Sequence, residues 1–297
     1  MPETLIDFYS FFLILIWLTI IGVGPIVWLI PPARSARYAL ALAPAMGLAI
    51  ISLAAFPLVR YMAPVQAWAW PASVGLALFS LALVTLDWRQ HPQRYGALRG
   101  WRSYAPVIVC LLLCTLVVAS PILVFGIQYR IFRTNPSDAF YYMSLAETLR
   151  VANWPTLLGG LQLQNNQIGL AALANVSPTA LFSARFILDP LALNKMAALA
   201  WLAEVARLPV TRAYYLQHLL SLAIAPPVVF VIAGQLTQSR VLKLLVSAAV
   251  ALGFWATWVL EMDAGYELSA LPLALLFVAA WIELEQERQQ FWSRARL

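Results

Sequence analysis

The chain has 297 residues, of which 62% are apolar, 12% aromatic and 11% charged, with a formal net charge of +6. Soluble domains run near 45–50% apolar and about 25% charged, so these proportions exclude a soluble enzyme, a disordered chain and a secreted disulfide scaffold. The hydrocarbon of a bilayer is the solvent that fits, and long unbroken apolar runs point to helices rather than to the period-two alternation of a barrel.

In chain order, the N-terminus Met1-Pro-Glu-Thr-Leu-Ile-Asp is acidic ahead of its apolar run, unlike the basic start of a cleaved signal peptide, and is expected to stay. Four runs of roughly 20 residues, enough to cross the hydrocarbon layer, are expected to span at 10–30, 38–59, 66–86 and 104–126. Cys110 and Cys114 share one helix face of the fourth, where small interior residues are expected. A polar, broken stretch follows over 127–212, and three further spans are expected at 213–234, 241–260 and 268–284. The segment 191–207 is short and carries Lys195, Glu204 and Arg207, so it is read as lying along the membrane surface.

Loop charge sets the orientation. Arg34 and Arg37 in the first loop, and Arg89, Arg94, Arg99 and Arg102 in the third, mark the cytoplasmic side. The second loop, with Arg60 alone, and the stretch 127–212 are then external. Arg240, Lys243 and the tail arginines Arg288, Arg294 and Arg296 return to the cytoplasm. The expected architecture is an all-α integral membrane protein of about seven transmembrane helices, N-terminus outside and C-terminus inside, with amphipathic surface helices in the long external loop between helices four and five. It divides into a three-helix segment over 1–103, a module over 104–284 and a basic tail over 285–297. Charge spread over loops in this way fits membrane anchoring and not nucleic acid.

Most of the residues able to do chemistry fall in the external parts. Asn135-Pro-Ser-Asp138 is a turn that starts a helix, with Ser137 or Asp138 as its N-cap. Tyr141, Leu145 and Leu149 then form an apolar stripe, while Ser144 and Glu147 point elsewhere. Asp138 is therefore either a plain helix cap or a reactive carboxylate at the membrane edge. Glu261 and Asp263, two apart in the turn Glu261-Met-Asp-Ala-Gly-Tyr-Glu267, are either a solvated loop or oxygen ligands for one divalent cation such as Mg or Mn. Arg130, Arg133, Arg150, Arg185 and Lys195 either pair with lipid headgroups or hold a lipid phosphate. His218, inside the fifth span, is read as a hydrogen-bonded interior residue. The tryptophans, mostly near span ends, are read as an interfacial belt.

The stretches Ser137-Asp-Ala-Phe-Tyr-Tyr-Met-Ser-Leu-Ala-Glu147 and Trp258-Val-Leu-Glu-Met-Asp263, in this order around a juxtamembrane run at Leu191–Leu208, resemble the GT-C class of membrane glycosyltransferases. These take sugars from polyprenyl-phosphate or polyprenyl-diphosphate donors. The resemblance covers roughly residues 104–284 and implies a bacterial inner-membrane protein. It implies Asp138 as general base or positioning group, Glu261 and Asp263 holding a metal or the donor, and Arg130, Arg133 or Lys195 neutralising the leaving phosphate. Members usually carry further spans and a soluble C-terminal domain. A short form, or a non-catalytic subunit working with other membrane proteins, is therefore the alternative that the same resemblance implies.

Overall fold

The structure, a computed structural model, describes residues 3–31, 36–61, 63–96, 113, 116, 136–152, 190–252 and 265–295. Every element among them is a helix: α1 Glu3–Leu29, α2 Ala36–Tyr61, α3 Val65–Gln90, α4 Pro92–Gly96, α5 Pro136–Val151, α6 Pro190–Ala206, α7 Val210–Leu236, α8 Arg240–Leu252 and α9 Gly265–Ala295. Helices are the form in which a backbone surrounded by lipid satisfies its own N–H and C=O groups, which is why the apolar runs adopt it. Four of them are long and apolar enough to cross a membrane: Ile6–Leu29, Tyr38–Tyr61, Val65–Gln90 and Val210–Leu236. Of the expected fourth span at 104–126 only Leu113 and Leu116 are described, both exposed, and 253–260 of the expected span at 241–260 lies outside the described residues.

Pro226 and Pro227 sit inside α7, and the helix continues through both. The third span runs past its expected end at 86 to Gln90. The reason is local. Asp87 in its last turn accepts hydrogen bonds from Arg94 Nη1 at 3.0 Å and from the Tyr95 hydroxyl at 2.6 Å, so a carboxylate there does not end the helix.

The chain gathers into two compact units. The first comprises Met1–Ile14, Ala49–Leu78 and Phe125–Gln217, and the second Leu15–Leu48, Phe79–Val124 and His218–Leu297. In the first, α5 packs along α6. The stripe expected to face the membrane is instead covered by protein, for Leu145 and Leu149 are fully buried. Trp201 of α6 is also fully buried, against Trp68 in an edge-to-face pair at 4.9 Å. Its indole donates to the Ala69 carbonyl at 3.1 Å and the Ser73 hydroxyl at 2.9 Å. A buried indole N–H requires such a partner, so this tryptophan and Trp68 belong to the interior and not to an interfacial belt. Trp28, Trp88 and Trp281 remain exposed, as a belt requires.

In the second unit α1 and α2 approach closely through small residues. A Cβ at Gly22 would collide with the Ala43 carbonyl oxygen, and one at Gly47 with that of Leu18. Small residues let helix backbones meet where lipid gives no hydrophobic drive to association. Near the ends of α1 and α3, Arg94 is buried and ties the two together. Beyond its bond to Asp87, it donates to the Val27 carbonyl at 2.8 Å and the Ile30 carbonyl at 3.0 Å, capping the C-terminus of α1. His91 Nδ1 lies 3.2 Å from the same Asp87 oxygen that Arg94 binds. Burial first, and then the hydrogen bond to Asp87, raises the Tyr95 phenol well above its ordinary pKa.

Candidate functional site

α5 begins at Pro136, a residue suited to a first helical position because its missing N–H has no partner to lose there. Asp138 is thus the third helical residue rather than the cap. The backbone of its turn is described; its side chain lies outside the described residues, as do Arg130, Arg133, Arg185, Glu261 and Asp263. Among the described residues no three His, Cys, Asp or Glu side chains gather in a way that could hold a metal ion.

Lys195 is the expected phosphate ligand that the structure does describe, and its setting differs from a headgroup-facing lysine. It sits on α6 and is buried. Its Nζ lies 5.1 Å from the ring centre of Tyr142 and 5.9 Å from that of Tyr214. The two rings are stacked at 6.5 Å and 25°. Tyr214 in turn meets Tyr215 edge-on at 5.3 Å. A desolvated ammonium over aromatic faces gains about 2 kcal/mol from the ring quadrupoles. Tyr142 comes four residues after Asp138 on α5, one helical turn or about 6 Å along the axis. The Lys195 ammonium is therefore brought beside the first turns of the helix that carries Asp138.

Two arginines form ion pairs beside these elements in the same unit. Arg212, two residues before Tyr214, approaches Asp7 of α1 with Nη1 3.6 Å from Oδ1. Arg150 bridges α5 and α6, with Nε and Nη2 donating to Glu204 Oε2 at 3.1 and 3.0 Å and Nη1 donating to Glu147 at 2.9 Å. Burial lowers the pKa of Arg150, but the Glu147 and Glu204 carboxylates outweigh it and the net shift is upward. Arg150 is thereby committed to fastening the helix pair rather than to a lipid phosphate. His218 is buried, as an interior residue should be.

Tyr142, Tyr214, Asp7 and Arg212 were not singled out by the sequence. Tyr142 meets Lys195, and Asp7 meets Arg212, across stretches of chain beyond the reach of any local pattern, and Tyr214 lies on a different helix from Lys195. One faint signal existed for Tyr142, which sits a turn beyond an acidic helix start. A cation in a low-dielectric aromatic setting attracts an opposite charge more strongly than it would in water. No protein-family model, no curated protein and no solved structure matches this chain.

Proposed function

We propose that this protein is a membrane glycosyltransferase of the GT-C kind, acting on a polyprenyl-phosphate or polyprenyl-diphosphate sugar at the outer membrane face. The observation that carries the reading is the meeting of Lys195 with Tyr142, one turn beyond Asp138, within a unit whose helices come from widely separated parts of the chain. In this scheme the acceptor oxygen or nitrogen attacks the anomeric carbon and gives its proton to Asp138. The bond from that carbon to the phosphate oxygen breaks, and Lys195, with Arg130 and Arg133, takes up the charge left on the phosphate. Glu261 and Asp263 orient the donor or hold a divalent cation. Seven spans, with the N-terminus outside and the C-terminus in the cytoplasm, place Asp138 and the Glu261–Asp263 turn on one side of the membrane.

A second reading is an accessory subunit of a larger membrane assembly. It is favoured by the internal pairing of charge: Asp87 with Arg94, Asp7 with Arg212, and Arg150 with Glu147 and Glu204. Native mass spectrometry of the protein extracted gently from its own membrane separates the two. A retained polyprenyl-phosphate sugar, together with transfer that Asp138→Asn abolishes without loss of folding, supports the transferase. A fixed stoichiometry with other subunits, no such lipid and indifference to Asp138→Asn supports the accessory role.

A further inference from the structure

Four described arginines are committed to carboxylates within the chain: Arg94, Arg150, Arg212 and Arg288. Arg60 and Arg207 are placed differently. Both are exposed, and each guanidinium lies against aromatic rings instead of a carboxylate. Arg60 is 5.4 Å from the ring centre of Tyr61 and 5.9 Å from that of Phe56, and Arg207 is 5.9 Å from that of Trp70. Tyr61 is 75% exposed and Trp70 is 42% exposed, so the rings too face outward.

These side chains belong to one compact unit and to one end of its helices. Arg60 is in the last turn of α2, whose apolar span ends at Tyr61. Trp70 is five residues into α3, whose span starts at Val65, and Arg207 is three residues before the span that starts at Val210. Because Arg207 rests on Trp70, the entry to α7 is brought to the same end as the short turn joining α2 to α3. Span ends are where headgroup phosphates lie, and a guanidinium stacked on a ring keeps its planar fork free for two phosphate oxygens.

Arg207 is also held where it costs backbone energy. α6 closes with Leu208 N donating to the Ala203 carbonyl at 3.0 Å and Arg207 N donating to that of Glu204 at 3.2 Å. This closure sets Arg207 at φ 53°, a left-handed position that glycine fills with least strain. The side chain therefore projects from the strained joint itself.

We propose that Arg60 and Arg207, backed by Tyr61 and Trp70, form a binding surface for the phosphates of anionic phospholipids in the surrounding bilayer. The inference stands apart from the transferase reading, because it involves neither Asp138 nor Lys195. The test uses the full-length protein in nanodiscs of phosphatidylcholine mixed with phosphatidylglycerol, with the lipids retained on release counted by native mass spectrometry. Retention of phosphatidylglycerol over phosphatidylcholine is expected to fall about fivefold for each arginine removed. Arg60→Gln and Arg207→Gly are the variants. The glycine relieves the left-handed strain, so its melting temperature is expected to hold or rise while lipid preference falls, a combination that a purely structural arginine would not produce. Unchanged preference in the double variant overturns the proposal, as does displacement of the lipid by inorganic phosphate at matched concentration, which would mark a site for free phosphate.

Discussion

Arg94 and Lys195 are both buried cations in an apolar chain, and their surroundings differ. Arg94 donates to oxygens, the Asp87 carboxylate and two carbonyls at the end of α1, with Tyr95 and His91 on the same carboxylate. Beside Lys195 lie the aromatic faces of Tyr142 from α5 and Tyr214 from α7. The first arrangement spends the charge on holding helix ends in place. The second sets the charge against the faces of two rings, whose quadrupoles stabilise an ammonium. Two buried cations of one chain thus meet different chemistry: carboxylate and carbonyl oxygens at Arg94, aromatic faces at Lys195.

The sharpest way to break this contrast is Arg94→Leu. It takes the guanidinium from the buried Asp87 carboxylate, which keeps Tyr95 and His91, and uncaps α1; breaking a buried pair on one side costs about 3–5 kcal/mol. Folded yield and melting temperature in detergent are expected to collapse, whereas Lys195→Met, an apolar side chain of similar reach among the same rings, is expected to keep the fold. Comparable loss in both variants would erase the distinction.

Gly22→Ala comes next. Its new methyl group meets the Ala43 backbone, and forcing α1 from α2 is expected to cost about 1–3 kcal/mol, read as a lower melting temperature. Trp201→Phe keeps the aromatic packing but removes the indole donor from the Ser73 hydroxyl and from the Ala69 carbonyl, which still accepts from Ser73. A loss of about 1–2 kcal/mol is expected, and an unchanged melting temperature would show that the hydrogen bonds contribute nothing.

The smallest expected effect concerns pH. The folded-state pKa of Tyr95 is raised above its unfolded value, so its contribution is fully present below about pH 10 and lost as pH rises through the folded value. The phenol is only partly buried, and the change is correspondingly modest. Wild type is expected to lose stability at strongly alkaline pH more steeply than Tyr95→Phe, and parallel curves would contradict the assignment.

These two regions also show what the sequence made legible. Long apolar runs announced α2, α3 and α7 to within a few residues, because hydropathy is a local property and a bilayer demands it, whereas α1 starts at Glu3, seven residues before its expected start. The helix at Pro136 was announced by its turn chemistry, and α6 by its short, charged run. The partners were harder. Asp87, His91, Arg94 and Tyr95 are spaced near multiples of a helical turn, a local signal that was overshadowed by reading the arginines of that loop as membrane anchors. Lys195 was named for its charge, but the rings that surround it come from Tyr142 and Tyr214, and no periodicity links residues so far apart. The stripe of Leu145 and Leu149 was recognised correctly as apolar. That it faces protein and not lipid depends on the packing of α5 against α6, which a single amphipathic pattern does not encode.

The most direct test of the proposed site is the affinity of the purified full-length protein for undecaprenyl phosphate, measured by native mass spectrometry for wild type and Lys195→Met at equal protein stability. Bound lipid is expected in wild type and at least about tenfold weaker binding in Lys195→Met, the loss of one charge-assisted contact to phosphate. Equal binding by both proteins, with both folded, would contradict the assignment of Lys195 to the donor phosphate.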